Sequence, residues 1–276
     1  VVTTLIPPHE RRILEAHIRK VPLRDLALVT DPLDEYQNRE LKELIRLRMQ
    51  GLPLQYLTGS QDFFGREFYV NTSVLVPRPE TEGLVELAIN ELSKLKLSTN
   101  LTEIRGLDLG TGSGCIAATL ALEILGCHVI ATDCCSEALG VAAENLRRLR
   151  VNNVTLLEVG TPPTLSDYQT LGDLDFIISN PPYLVESDEV ATDVRHHEPE
   201  SALYAPDGQP FLFYEMLIEL GHQKLKNDGV LAFEVPHERA DEILQLVEKA
   251  RFGQARLEND LTGRHRYCVA RKTISL

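Results

Sequence analysis

No stretch of this 276-residue sequence approaches the roughly 20 consecutive apolar residues that cross a bilayer, so no membrane-spanning helix is expected. Basic charge is scarce. Lys and Arg number 28 against 41 Asp and Glu, giving a net charge of −13 at pH 7. A surface of that sign repels nucleic-acid phosphates and disfavours a protein that grips DNA or RNA through a broad basic face. The five cysteines form no C-x-x-C pair, and adjacent Cys134-Cys135 are poorly disposed to chelate one metal. Free thiols in a reducing compartment are expected, and no metal site. Internal repeats and low-complexity tracts are also missing. What remains, 43% hydrophobic and 25% charged residues, is the balance of an ordinary globular protein. The length suits one large domain, or a catalytic domain with a smaller companion.

Residues 9–50 carry helical periodicity: Ile13, Leu14, His17 and Ile18, then Leu41, Leu44, Ile45 and Leu47. Asp31-Pro32 separates the two runs and Gly51-Leu52-Pro53 ends the second. So small a helical unit buries little by itself and should pack on something else. Around Gly65, the segments Phe63–Val70 and Val74–Val76 suggest short strands of a hairpin linker. Pro77-Arg78-Pro79-Glu80 opens a helix to about Leu97. Beyond it, apolar strands at Ile104–Leu109, His128–Thr132, Val154–Val159, Leu174–Ser179 and Val230–Val235 alternate with amphipathic stretches. That order predicts an α/β fold with a mostly parallel sheet and helices on both faces. Gln254–Glu258 and Arg266–Ala270 are expected to add a terminal antiparallel pair.

Two places carry chemistry. The first is Asp108-Leu109-Gly110-Thr111-Gly112-Ser113-Gly114, where the first sheet strand turns into a helix. Glycines at such a turn let the backbone approach a ligand and expose helix N-terminal N–H groups. Asp133 ends the next strand, where a carboxylate can accept both ribose hydroxyls of a nucleoside. A helix N-cap is its plainer role. Asp108 lies inside an apolar strand, costly to bury without purpose, and serves either to orient the loop or to hold a charged amino group. These residues favour an adenosine-containing ligand and leave NAD and S-adenosylmethionine both open.

The second place is Asn180-Pro181-Pro182-Tyr183, at the carboxyl end of an apolar strand. Two prolines remove two N–H donors, so carbonyl acceptors dominate the local backbone. The Asn180 side chain adds an acceptor and Tyr183 an aromatic face. Such a site suits an –NH2 group on a planar carrier, with one hydrogen on Asn180 Oδ1 and the other on the Pro181 carbonyl. Two acceptors so aligned help a delocalised nitrogen rehybridise for attack on a methyl group. A strand-ending turn without chemistry is the plain alternative, since Asn-Pro and Pro-Pro are common in loops.

The Asp108–Gly114 turn, Asp133 and Asn180–Tyr183 together resemble S-adenosylmethionine methyltransferases of planar nitrogens. More narrowly, nearly the whole chain resembles the HemK/PrmC family of protein-(glutamine-N5) methyltransferases. Leu54–Gly59 with Phe63-Phe64-Gly65, Val76-Pro77-Arg78-Pro79-Glu80-Thr81-Glu82, Glu198-Pro199 through Tyr214, and Asp260–Arg266 are similar to that family's stretches. The resemblance implies a Rossmann-like class I methyltransferase sheet with a small N-terminal helical domain. It divides the chain into a substrate-recognition domain over 1–60, a β-hairpin linker over 61–77 and a catalytic domain over 78–276.

It further implies S-adenosylmethionine, leaving as S-adenosylhomocysteine, on Asp108, Gly110, Thr111, Gly112, Gly114, Asp133 and Asn180. The acceptor would be the glutamine of the GGQ motif of a peptide-chain release factor. Asn180 and Pro181 would be catalytic, with Pro182, Tyr183, Arg78 and Glu80 bordering the substrate. A cytoplasmic or mitochondrial-matrix monomer without direct nucleic-acid contact is the corresponding expectation. An adenine or guanine amino-group methyltransferase is the alternative enzyme, and a noncatalytic nucleoside-binding protein the alternative of another class. The sequence departs from the family's pattern at Val159-Gly160-Thr161-Pro162, where Gly-Asp is usual, at Glu234-Val235-Pro236-His237 and at His196-His197. The His pair lacks a third ligand at useful spacing and suggests a solvated loop.

Overall fold

The computed structural model describes residues 6–185, 187–188 and 192–273. Residues 1–5 and 274–276, the outer ends of the first and last expected units, lie outside the described residues. Helix α1 (Pro8–Arg19) starts on a proline at its first turn and closes on Lys20 in the left-handed region. Helix α2 (Glu35–Met49) begins with a capping box, in which Asp34 Oδ1 accepts from the Gln37 amide and Gln37 Oε1 accepts from the Asp34 amide. With the short α3 (Leu54–Thr58), these helices bury Leu14, Ile18, Leu41, Ile45 and Leu57 in a cluster of their own.

Strands β1 (Ser60–Phe63) and β2 (Arg66–Tyr69) pair antiparallel around Phe64-Gly65, both at positive φ. Phe63 and Phe68 meet edge to face at 5.9 Å and enter the main core. Val74–Val76, expected as a strand, has no ladder partner. Its apolar pattern comes from packing instead: Val70 and Val74 lie on Ala138 and Val141, and the Tyr56 hydroxyl donates to the Val74 carbonyl.

Helix α4 (Pro79–Thr99) leads into the sheet, with Pro79, Glu80 and Glu82 in its first turn. The strands are β3 (Ile104–Leu109), β4 (Cys127–Asp133), β5 (Val154–Glu158), β6 (Leu174–Ser179), β7 (Leu225–Glu234), β8 (Gly253–Asn259) and β9 (His265–Arg271). They form a seven-stranded sheet in the order β5-β4-β3-β6-β7-β9-β8, parallel except that β9 runs antiparallel to both neighbours. Strand β7 starts five residues earlier than the apolar run Val230–Val235 suggests, because Leu225 pairs with Leu174 and the polar residues after it are held to Lys272. Helices α5 (Cys115–Glu123), α6 (Ser136–Leu149), α9 (Leu212–Lys224) and α10 (Ala240–Lys249) cover the two faces, each face with its own buried cluster. Short helices α7 (Thr192–His197) and α8 (Glu200–Leu203), not anticipated from the sequence, fold over the strand ends. None of the described helices is long and apolar enough to cross a membrane.

Strand order reverses between β3 and β6: β4 and β5 lie to one side, β6 and β7 to the other. The chain leaves the carboxyl ends of these two neighbours in opposite directions, opening a crevice there. Leu109 pairs with Ser179, whose hydroxyl donates to the Leu109 carbonyl at 2.8 Å. The glycine turn and Asn180 therefore begin one residue beyond a shared rung.

Candidate active site

Gly110, Gly112 and Gly114 all adopt positive φ, the region that L side chains rarely enter. A Cβ on Gly110 or Gly112 would meet no atom within 4 Å, so the backbone there faces open space. Gly114 is different: its Cβ would stand 3.2 Å from Ala142 Cβ, where α5 and α6 pack closely. Asp108 fastens the turn from beneath. Its Oδ2 accepts from the Thr111 hydroxyl at 2.7 Å and the Ala117 amide at 3.2 Å, while Oδ1 is buried with no partner among the described residues. Burial pushes its carboxyl up to about 7, against the pull of those two donors. Asp133 receives the Gly112 amide on Oδ2 and the Cys135 amide on Oδ1, so it links the turn to the start of α6. Burial raises its pKa, and these amides oppose the rise.

A cavity lies above this turn. Gly110, Gly112, Asp133, Asn180 and Pro182 form its polar and backbone wall, while Val159, Pro163, Tyr168 and Phe213 form an apolar side. A second cavity adjoins it, bordered by Arg78, Glu80, Asn180, Pro181, Tyr183, Glu234 and Arg266. Asn180 stands in both walls. Successive residues then alternate: Pro181 and Tyr183 face the second cavity, and Pro182 the first.

Most of the expected site residues are thereby brought together. Asp108, Thr111 and Gly114 do not reach the first cavity and sit under or behind its floor. Pro182, expected at the acceptor, borders the glycine-turn cavity. Arg78 reaches the second cavity with its guanidinium tied to Glu198 at 2.6 Å, and Glu198 also accepts from the Val76 amide. Thr161, at the position of a usual Asp, borders neither cavity, and the neighbouring wall is apolar. His197 Nε2 lies 3.1 Å from the Gln50 carbonyl, joining α7 to the end of α2. Among the described residues no group of three or more His, Cys, Asp or Glu could hold a metal ion.

Sequence reasoning missed Glu234, Arg266 and Asn145 as contributors, and the family resemblance placed Thr81 at the border of the site without giving it a partner. Thr81, 3% exposed, accepts from Asn180 Nδ2 at 3.2 Å and so turns the amide oxygen away from itself. Glu234, at the end of β7, is buried in the second cavity wall. Arg266 reaches the same cavity from a turn held by Asp260, which accepts from the Thr262 and Arg264 amides and from Arg266 Nε. Asn145 is fully buried and braces three segments: it exchanges both its amide groups with the Tyr69 backbone and donates to the Ser113 carbonyl. An Asn on the buried face of an otherwise apolar helix was the available signal for this last one.

A parallel sheet reversing at β3/β6, a glycine turn with a strand-end acid, and Asn-Pro-Pro-Tyr at the adjoining strand end define a class I methyltransferase. Known proteins agree and narrow the class. A family model described as "Methyltransferase small domain" matches residues 89–202. The release factor glutamine methyltransferase of Flavobacterium psychrophilum is 38% identical over 257 residues, 92% of this chain and 87% of that one. That of Bacillus cereus is 34% identical, covering 94% and 90%. The chain belongs to the release factor glutamine methyltransferase family. Among solved structures, the ribosomal protein L11 methylase from Lactobacillus delbrueckii subsp. bulgaricus shares the fold at 18% identity and TM-score 0.51, covering 78% of this chain and 90% of that one. The METTL16 methyltransferase domain does so at 19% and 0.57, covering 77% and 90%.

Proposed function

We propose that this protein transfers a methyl group from S-adenosylmethionine to the side-chain amide nitrogen of the glutamine in the GGQ motif of a peptide-chain release factor. The observation that carries the reading is Asn180, standing between two cavities with Oδ1 free of any donor among the described residues.

The glycine-turn cavity fits the methyl donor. Backbone at Gly110 and Gly112 is open to a ligand, Asp133 retains acceptor capacity beside its two amide bonds for ribose hydroxyls, and Val159, Pro163 and Phe213 suit a flat heterocycle. Asp108, Thr111 and Gly114 hold that surface in shape. When bound, S-adenosylmethionine would supply an electrophilic methyl: an N–C bond would form as the C–S bond broke with its pair left on sulfur, and the alkylated nitrogen would release its proton to solvent. The chain's own work is positioning. Asn180 Oδ1 and the Pro181 carbonyl take the two hydrogens of the glutamine amide, which points the nitrogen lone pair across the partition. Tyr183 lies along the amide plane, and Arg78 and Glu80 border the entering loop. Holding reactants in this way is worth several kcal/mol of barrier, about the effect expected of aligned polar groups.

In this reading residues 1–60 help to grip the protein substrate, 61–77 join them to the catalytic residues 78–276, and one chain suffices without nucleic acid. Leu28 and Tyr36, exposed at 79% and 67%, offer the helical unit apolar contacts for a protein partner. The bacterial relatives support a cytoplasmic setting.

Incubation with a recombinant release factor and methyl-labelled S-adenosylmethionine, followed by peptide mass spectrometry, tests the reading. One methyl on the GGQ glutamine, lost in Asn180→Ala, is expected. Label found only on nucleic acid overturns it.

A further inference from the structure

Glu234 has no role in the transfer as described so far, yet it is a carboxylic acid only 4% exposed in the wall of the proline-edge cavity. Its Oε1 is buried without a hydrogen-bond partner among the described residues. It stands on β7, the strand beside β6, whose end supplies Asn180. Thr81 lies between the two side chains. Its hydroxyl accepts from Asn180 Nδ2, and it lies near enough to Glu234 to favour the charge of that carboxylate.

A hydroxyl has a single hydrogen, and this fixes a direction. While Glu234 is ionised it can only accept, so the Thr81 hydrogen points to it and the Thr81 lone pairs face Asn180. The Asn180 –NH2 then turns to Thr81, and Oδ1 faces the cavity as an acceptor. Once Glu234 is protonated it can donate to Thr81, and the hydroxyl hydrogen is free to rotate toward Asn180. The amide then loses its preference. With its –NH2 turned into the cavity, it would oppose the hydrogens of an incoming amide.

The geometry points to Glu234 as the positioning residue that orients Asn180 through Thr81, so that its ionisation switches the acceptor cavity on. The inference rests on the methyl-transfer reading. Glu234 is surrounded by competing charges. Arg266 on β9, Arg78 and Glu80 at the start of α4, and Tyr183 after β6 face it, and Arg266 and Arg78 favour its charge while Glu80 opposes it. Behind it lie Cys115 of α5, Tyr214 of α9, whose hydroxyl donates to the Glu234 carbonyl, and Tyr267 of β9. Burial dominates and pushes the carboxyl up to about 7, which puts the switch near neutrality.

The test is kcat against pH from 5.5 to 9, with the full chain, S-adenosylmethionine and a release factor. For the native protein kcat should rise about tenfold per pH unit below the Glu234 pKa and level off above it. Glu234→Gln should flatten the profile at its low-pH limb, about tenfold or more below the plateau. Thr81→Val should do the same and Thr81→Ser should restore it, while cofactor affinity by calorimetry stays within about twofold in every variant. A pH profile unchanged in Glu234→Gln or Thr81→Val overturns the proposal. A second measurement needs no acceptor and separates this failure from that of the functional reading. In protein labelled with 15N-asparagine, the Asn180 side-chain resonance, assigned with Asn180→Ala, should titrate near neutrality. It should cease to do so in Glu234→Gln and in Thr81→Val. An Asn180 resonance that ignores pH sinks the proposal even if glutamine methylation is confirmed. A titrating resonance without glutamine methylation supports the switch and rejects the acceptor.

Discussion

The two cavities on either side of Asn180 are built by different means. The glycine-turn cavity takes its polar floor from backbone and small residues of two short segments, Leu109–Gly112 and Asp133–Ala138, and is closed by apolar side chains such as Val159, Tyr168 and Phe213. The proline-edge cavity is made of side chains drawn from across the chain: Arg78, Glu80, Asn180, Glu234 and Arg266. Each has one buried acid raised to about 7, but the two acids do different work. Asp108 grips the floor of its cavity through Thr111 and Ala117, whereas Glu234 lies in the wall of the other; each keeps one buried oxygen without a partner among the described residues. Backbone walls suit a ligand that never changes. Side-chain walls suit a substrate that must be told apart from others of its kind.

The sharpest way to break this contrast is Asn180→Ala, at a polar residue common to both walls. We expect kcat to fall by about 10²-fold or more, the scale seen when one aligned polar group is removed, with cofactor affinity changed far less. Steady-state kinetics beside calorimetry reads both. Asp133→Ala should show the reverse pattern, weakening cofactor binding by about tenfold, or roughly 1.4 kcal/mol, with kcat at saturation nearly kept. Equal loss in both parameters for either variant would erase the distinction between the cavities.

Asp108→Asn probes the floor alone. Because the folded protein holds the Asp108 proton more tightly than the unfolded chain, native stability should decline as pH rises from about 4 through 7. The penalty is absent below the unfolded value near 3.9 and complete above the folded one. Thermal melts of the native protein and Asp108→Asn should therefore diverge between about pH 4 and 7, with the variant the less affected by the rise in pH. The smallest effect is expected from Arg78→Lys, which keeps a cation for Glu198 but loses the fork of the guanidinium. KM for the protein substrate should rise about two- to threefold with kcat retained.

The same contrast explains what the sequence made visible. The Asp108–Gly114 turn and Asn180–Tyr183 are contiguous, and their backbone demands show directly in Gly and Pro. Parallel strands announced themselves as apolar runs because both faces of the sheet are covered. Thr81 and Asn180 are 99 positions apart, Arg78 and Glu198 are 120, and Tyr69 and Asn145 are 76. Nothing local distinguishes a Thr, a Glu or an Asn that finds its partner at such separations. A motif lists Pro181, Pro182 and Tyr183 in order and does not show that the backbone turns alternate ones toward different cavities. Val74–Val76 looked like a strand because burial against a helix imposes the same apolar composition as pairing in a sheet.

The partition between the cavities is thin, since Asn180, Leu75 and Ala202 each border both and Pro181 and Pro182 diverge at once. A wall that thin works as a ruler. Under the proposed function the gap between the two reacting partners would be set at Asn180 by the covalent frame of a single tripeptide, stiffened by two proline rings. Under that same function the helical unit would thus be free to tighten, loosen or tilt its hold on a large substrate without altering the distance over which the methyl group travels.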